Sequence, residues 1–184
     1  MESVFSLPHE QVEAQLPDAE GVIYYGYAGR LFEEGKKDDA VFWFYVGQLR
    51  FRIELKARPD QDPTAGPALF GAMQEQFGTL INGWAGGDVR MWVAQIDRAL
   101  AWDLANPNGV ISKTEFKSVY EEQRAGLLRL RAQLVSQADE IRKGREAQGL
   151  ENRSNQSPQR NAGSRPSADD SPASETPSSL GPRG

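Results

Sequence analysis

Apolar residues recur every three or four positions along most of this chain, and nowhere do they alternate with polar ones long enough to specify a strand. Residues 1–20 break the pattern. Pro8 and Pro17 bound them, and the spacing allows one short turn over 10–16 in an otherwise irregular segment. A first helix is predicted over 21–34, with Ile23 or Tyr24, Tyr27 or Ala28, and Leu31 on one stripe and Gly35 as its stop. Lys36, Lys37, Asp38 and Asp39 read as a turn in which Asp38 caps the next helix, over 39–57, with Ala40, Phe44, Gly47, Phe51 and Leu55 on its inner face. After a Pro/Asp-rich loop, a third helix over 67–84 carries the stripe Leu69, Met73, Phe77, Leu80 and Trp84. Asp88 caps a fourth helix running to Trp102, striped by Val89, Trp92, Ile96 and Leu100. Asn106, Pro107, Asn108 and Gly109 form a strong breaker. Ser112 and Glu115 then stand at capping-box spacing before the longest helix, whose stripe is Phe116, Tyr120, Gln123, Leu127, Leu130, Leu134, Ala138 and Ile141.

These elements imply an all-α fold: a compact bundle of about five helices, two antiparallel hairpins plus a long C-terminal helix, with a disordered tail. Short connections favour antiparallel neighbours. The expected division is an irregular N-terminal segment 1–20, an all-helical domain 21–148 and a tail 149–184.

Composition supplies the tail. Between residues 151 and 184 stand eight Ser, five Pro and three Gly, with no aromatic residue and Leu180 as the sole sizeable apolar side chain. Such a segment buries too little apolar surface to offset the entropy of ordering. Its four acids balance its four arginines, so the formal charge of −5 resides in the domain. An acidic domain without a basic stripe argues against nucleic acid as a partner. The absence of cysteine excludes disulfides, thiolate metal sites and cysteine nucleophiles. The first residues have neither a basic nor an apolar signal region, and no window approaches 18 apolar residues. No membrane partner is therefore expected, and the expected location is cytoplasmic.

The first hairpin has a further regularity. Ala28, Leu31, Gly35, Ala40, Phe44 and Gly47 fall at the spacing of the small and large packing positions of a helical repeat, with Gly35 at the turn. Residues 21–54 thus resemble a single tetratricopeptide or Sel1-like unit, and the resemblance implies protein or peptide binding. Arg52 or Ile53 stands where that family places its terminal proline, and residues 69–102 do not repeat the small-residue spacing. The pattern is that of one repeat-like hairpin inside a globular bundle, not a solenoid.

Candidate chemistry is sparse. The single histidine, His9, lies in the irregular segment, which removes histidine triads and HExxH sites. There is no phosphate-binding glycine loop after a strand. Residues 104–115 place Asn106, Asn108, Gly109, Ile111, Ser112 and Glu115 at EF-hand positions. Leu104 replaces the first acid, however, and Pro107 stiffens the loop, so a helix-connecting turn explains the same residues. No catalytic residue, metal or cofactor is expected. The run Val41-Phe42-Trp43-Phe44-Tyr45-Val46 points aromatic rings in four directions, so its helix is either central and covered or presents an aromatic binding face. Arg50 and Arg52 follow, to pair with acids such as Asp97 or Asp103 or to form an anion-recognising cluster with Arg30. Tyr24, Trp43, Arg50, Arg52, Trp92, Asp97 and Trp102 are accordingly the candidate partner- or ligand-contacting residues. The favoured reading is a non-enzymatic helical interaction module, such as a bacterial immunity or adaptor protein, whose partner is another protein or peptide. The alternative is a small-molecule binder or enzyme with an aromatic/Arg pocket between helices, in which Trp84 also takes part.

Overall fold

The computed structural model describes residues 6–60, 62 and 64–153. Its described residues form seven helices and no strand. They are α1 (His9–Gln15), α2 (Gly21–Glu33), α3 (Lys37–Ala57), α4, α5 (Val89–Ala105), α6 (Lys117–Ser136) and α7 (Ala138–Ala147). Helix α4 is continuous through three parts: Gly66–Met73, a π-helical turn Gln74–Gly78, and Thr79–Ala85. The fold is all-helical as the periodicity requires, but the count of five falls short for two physical reasons.

The first is α1. Pro8 stands at its N-cap, where no backbone N–H is needed, and Pro17 opens a following 3₁₀ turn, Leu16–Asp18, so neither proline interrupts a helix. Val12 and Leu16 lie one turn apart and are fully buried. The second is a break in the long C-terminal helix at Gln137, where the backbone leaves the helical region (φ −102°, ψ 9°). The break turns α7 toward the α4–α5 connection, where Arg145 Nη1 donates to the Gly83 carbonyl at 2.7 Å. Helix α6 also starts later than the capping box suggests: Ser112 Oγ accepts from the Glu115 N–H, yet 113–116 form turns and regular helix begins at Lys117. Asp38 and Asp39 occupy the first turn of α3 without a side-chain cap, favourably placed at the positive end of its dipole. The expected disordered tail lies, from residue 154 onward, outside the described residues.

Helix α3 is the axis of the bundle. Residues 40–51 are all buried, against α2 on one side and α4, α5 and α6 on the others. That settles the aromatic run: Phe42, Trp43, Phe44 and Tyr45 are core. The α2–α3 hairpin is the tightest contact. Gly35 closes it with φ +82°, in the left-handed region that glycine adopts without strain. A Cβ at Gly47 would lie 2.5 Å from Tyr24 Cβ, and one at Gly21 2.5 Å from the Phe51 backbone nitrogen. The two backbones approach at these glycines because nothing larger fits.

Candidate interaction face at the α3–α4 end

Four of the seven nominated residues converge, but on each other. The ring centroids of Trp43 and Trp102 are 5.1 Å apart and those of Tyr24 and Trp43 5.9 Å, while the Arg50 guanidinium sits 4.9 Å from the Trp102 ring. Tyr24, Trp43 and Arg50 are at most 4% exposed, so they present no surface to a partner. Arg50 is a structural hub. Its Nε donates to Asp103 Oδ1 at 3.3 Å, its Nη1 to the Pro17 carbonyl at 3.1 Å and its Nη2 to the Pro107 carbonyl at 2.7 Å. Asp103, fully buried, also accepts two bonds from Arg124 at 3.0 and 2.5 Å. The pair ties α3 to α5, α6 and two loops. Asp97 takes a different partner, Arg131 of α6, in a bidentate pair at 2.5 and 2.8 Å. Trp92 donates to the Tyr45 hydroxyl, which donates to Asn82. Arg30 pairs with Glu34, not with Arg50 or Arg52.

The Asn-Pro-Asn-Gly loop is spent on its own structure. Asn108 Oδ1 accepts from the Val110 and Ile111 N–H groups while its Nδ2 donates to Tyr120, and Lys113 Nζ donates to the Asp103 and Asn106 carbonyls. Among the described residues no cluster of His, Asp and Glu is placed to hold a metal. His9 proves to be held: Nε2 meets Glu34 at 2.7 Å and Nδ1 the Tyr27 hydroxyl at 3.0 Å, with Tyr27 donating onward to Glu13. Glu34, beside Arg30, Lys36 and His9, is held down to about 2. This polar chain fastens α1 to α2. The spacing of His9 and Tyr27 along the chain carries no hint of it.

The surface points elsewhere, to α4. Between residues 65 and 87 the chain has one charged side chain, Glu75. A surface helix ordinarily turns charged residues to water; α4 turns Ala68, Leu69, Gly71, Ala72, Gln76, Thr79 and Leu80, with Glu75 among them, and Leu69 is 42% and Leu80 49% exposed. The stripe expected from spacing placed both leucines inward. The π turn accounts for Leu80: its surplus residue shifts the inward positions beyond it, so that Ile81 and Ala85 are buried; ahead of it, Phe70 packs on the core while Leu69 is exposed. Phe77 locks this phase, its ring filling the space beside Gly29 where a Cβ would come within 2.5 Å.

At its start α4 meets the end of α3, and two open grooves flank Leu55 there. One, of about 340 Å³, is lined by Arg52, Leu55, Lys56 and Gln123. The other, of about 130 Å³, runs between Val22, Phe51, Leu55 and Leu69, with Glu20, Glu54 and Arg58 at its polar edge. Arg52 is half-buried and stacks on Phe70 at 5.6 Å; among the described residues neither it nor Arg58 forms an ion pair with a carboxylate. Lys56 is bridged to Glu122 at 3.6 Å. Glu54 is 5% exposed and accepts from the Gly21 N–H at 2.7 Å, capping α2 from another helix. Burial pushes its carboxyl up to about 7, against the pull of the Gly21 N–H.

Of the nominated residues, then, Arg52 alone reaches this face. Among the described residues no helix is long and apolar enough to cross a membrane. The chain matches no known protein family, no curated protein and no solved structure.

Proposed function

We propose that this chain is a non-enzymatic helical protein-interaction module, of the kind that serves as a bacterial immunity or adaptor protein, and that it docks its partner on the outward face of α4. One observation carries the reading: a helix with a single charged residue leaves Leu69 and Leu80 in water. A surface helix with so few charges and two exposed leucines is costly to leave in water and is characteristic of a binding face. The repeat-like α2–α3 hairpin is then the rigid scaffold beneath it, since helix-in-groove recognition requires a backbone that does not yield. The convergence of Tyr24, Trp43, Arg50 and Trp102 on one another favours this reading over an aromatic/Arg ligand pocket.

The test is site-specific photo-crosslinking in the native cell. A photoreactive residue at Leu69 or Leu80 should trap a discrete protein adduct that the same residue at exposed Glu140 on α7 does not. Leu69→Asp with Leu80→Asp should abolish capture and leave the melting temperature within a few degrees. Equal trapping at all three sites, or none, would remove the proposal.

A further inference from the structure

The two grooves beside Leu55 carry information about what binds, and this inference rests on the docking face just proposed. We infer that the partner contributes an acidic, aliphatic segment, with carboxylates received by Arg52 and Arg58 and an aliphatic side chain seated against Leu55 and Leu69.

The argument is one of charge complementarity. In a chain of net charge −5, this end of the bundle has two guanidiniums that, among the described residues, form no ion pair with a carboxylate, although Arg58 exerts some pull on Glu54. Arg52 is the more telling. It is half-buried and its guanidinium lies over the Phe70 ring, 5.6 Å from the centroid, which favours one side of its range before any ligand arrives. Most other arginines here that are withdrawn from solvent are paired: Arg50 and Arg124 with Asp103, Arg131 with Asp97, Arg30 with Glu34. A pre-oriented guanidinium on an apolar wall is suited to bidentate capture of a carboxylate.

The acids facing the grooves do not cancel this charge. Glu122 is engaged by Lys56. Glu54 turns its oxygen to the Gly21 N–H, and burial keeps it largely uncharged below about pH 7. Glu20 is left as the single free acid at the rim. The floor between the cations is aliphatic. Arg52 lines the groove on one side of Leu55 and Arg58 the groove on the other, so Leu55 stands between the two cations.

The probe is a phage-displayed library of random 12-residue peptides, panned against the full chain. The wild-type protein should enrich sequences with Asp or Glu flanking Leu, Ile or Val. Binding of the selected peptides should weaken at least tenfold between 50 and 500 mM salt. Arg52→Gln, which keeps most of the stem, with Arg58→Gln should lose at least tenfold in affinity, and Arg52→Glu with Arg58→Glu should reverse the preference to basic peptides. Circular dichroism and melting temperature check that each variant is folded. No enrichment, enrichment without acidic bias, or a bias that survives charge reversal overturns the inference. The outcome is separable from the docking-face reading. Crosslinking from Leu69 without acidic preference sinks the partner chemistry alone, whereas failure of the crosslink sinks both.

Discussion

The guanidinium of Arg153 lies 3.6 Å over the ring of Trp84 while its Nη1 donates to the Trp84 carbonyl at 2.7 Å. Its backbone N–H donates to the Gly87 carbonyl, also at 2.7 Å, so a stretch that composition assigns to the tail is clasped to the α4–α5 connection. Gly87 makes this possible, because a Cβ there would stand 2.5 Å from Arg153 Nη1. Arg153→Ala is expected to cost about 1–2 kcal/mol of stability, from the lost stacking and hydrogen bonds. Gly87→Ala should be costly in the wild type and nearly neutral once Arg153 is alanine. A double-mutant cycle by urea unfolding measures the coupling, and simple additivity would show that the clasp contributes nothing.

The buried network around Asp103 should be intolerant of losing its centre. Asp103→Ala leaves Arg50 fully buried without its counter-charge, at an expected cost of about 3–5 kcal/mol. Arg124→Ala should cost less, about 1–2 kcal/mol, because Arg124 reaches solvent and Arg50 still neutralises Asp103. Denaturant midpoints with unchanged m-values decide it. An Asp103→Ala cost below 1 kcal/mol would mean the network is ornamental.

Glu54 gives the fold a pH dependence of defined sign. Its carboxyl is raised from the ordinary 4.5 to about 7, so the folded chain holds a proton that the unfolded chain has released between those values. The stability Glu54 contributes is therefore full below about pH 4.5, falls as pH rises toward 7 and is flat above. The range spanned is at most about 3–4 kcal/mol at 1.36 kcal/mol per unit. Glu54→Gln keeps an acceptor for the Gly21 N–H without the ionisation. It should match the wild type at pH 4.5 and exceed it at pH 8, as read by urea unfolding at both. A pH-independent difference would contradict the assignment.

The hairpin glycines test close packing. Gly47→Ala and Gly21→Ala each place a methyl group within 2.6 Å of α2 or α3 atoms that belong to or adjoin the backbone. Helix propensity alone would make either change favourable by up to about 1 kcal/mol. Both are expected to destabilise by about 1–3 kcal/mol or more, the usual range for overpacking. A rise in melting temperature for either would show that α2 and α3 separate easily.

Much of this architecture is legible in the residue pattern, and the exceptions have physical causes. The boundaries of α2, the Asp88 cap of α5 and the inner stripe of α6 follow from local spacing and capping chemistry, which act within a few residues. The pairing of Arg50 with Asp103 was one of two acids that composition suggested; only the packing of α3 against α5 distinguishes it from Asp97. The candidate face was not legible. Leu69 and Leu80 fit an ideal inward stripe, and the π turn that displaces Leu80 is held by tertiary partners, Phe77 against Gly29 and Gln74 with Gln48 and Tyr25. Arg52 is a candidate by sequence only beside rings that prove to be core, and its place next to the α4 face depends on how α3 and α4 pack.

The π turn has a consequence for how the face on α4 is encoded. A single surplus residue between positions 74 and 78 is taken up in the wider turn, and the helix on either side keeps its own face. Removing one residue there would let the turn close as regular α-helix, with Ile81 and Ala85 still inward and Leu80 still outward, whereas the same deletion in a regular stretch would swing everything beyond it by roughly 100°. The turn is thus the one stretch of α4 where the chain can shorten by a residue without changing the surface it shows.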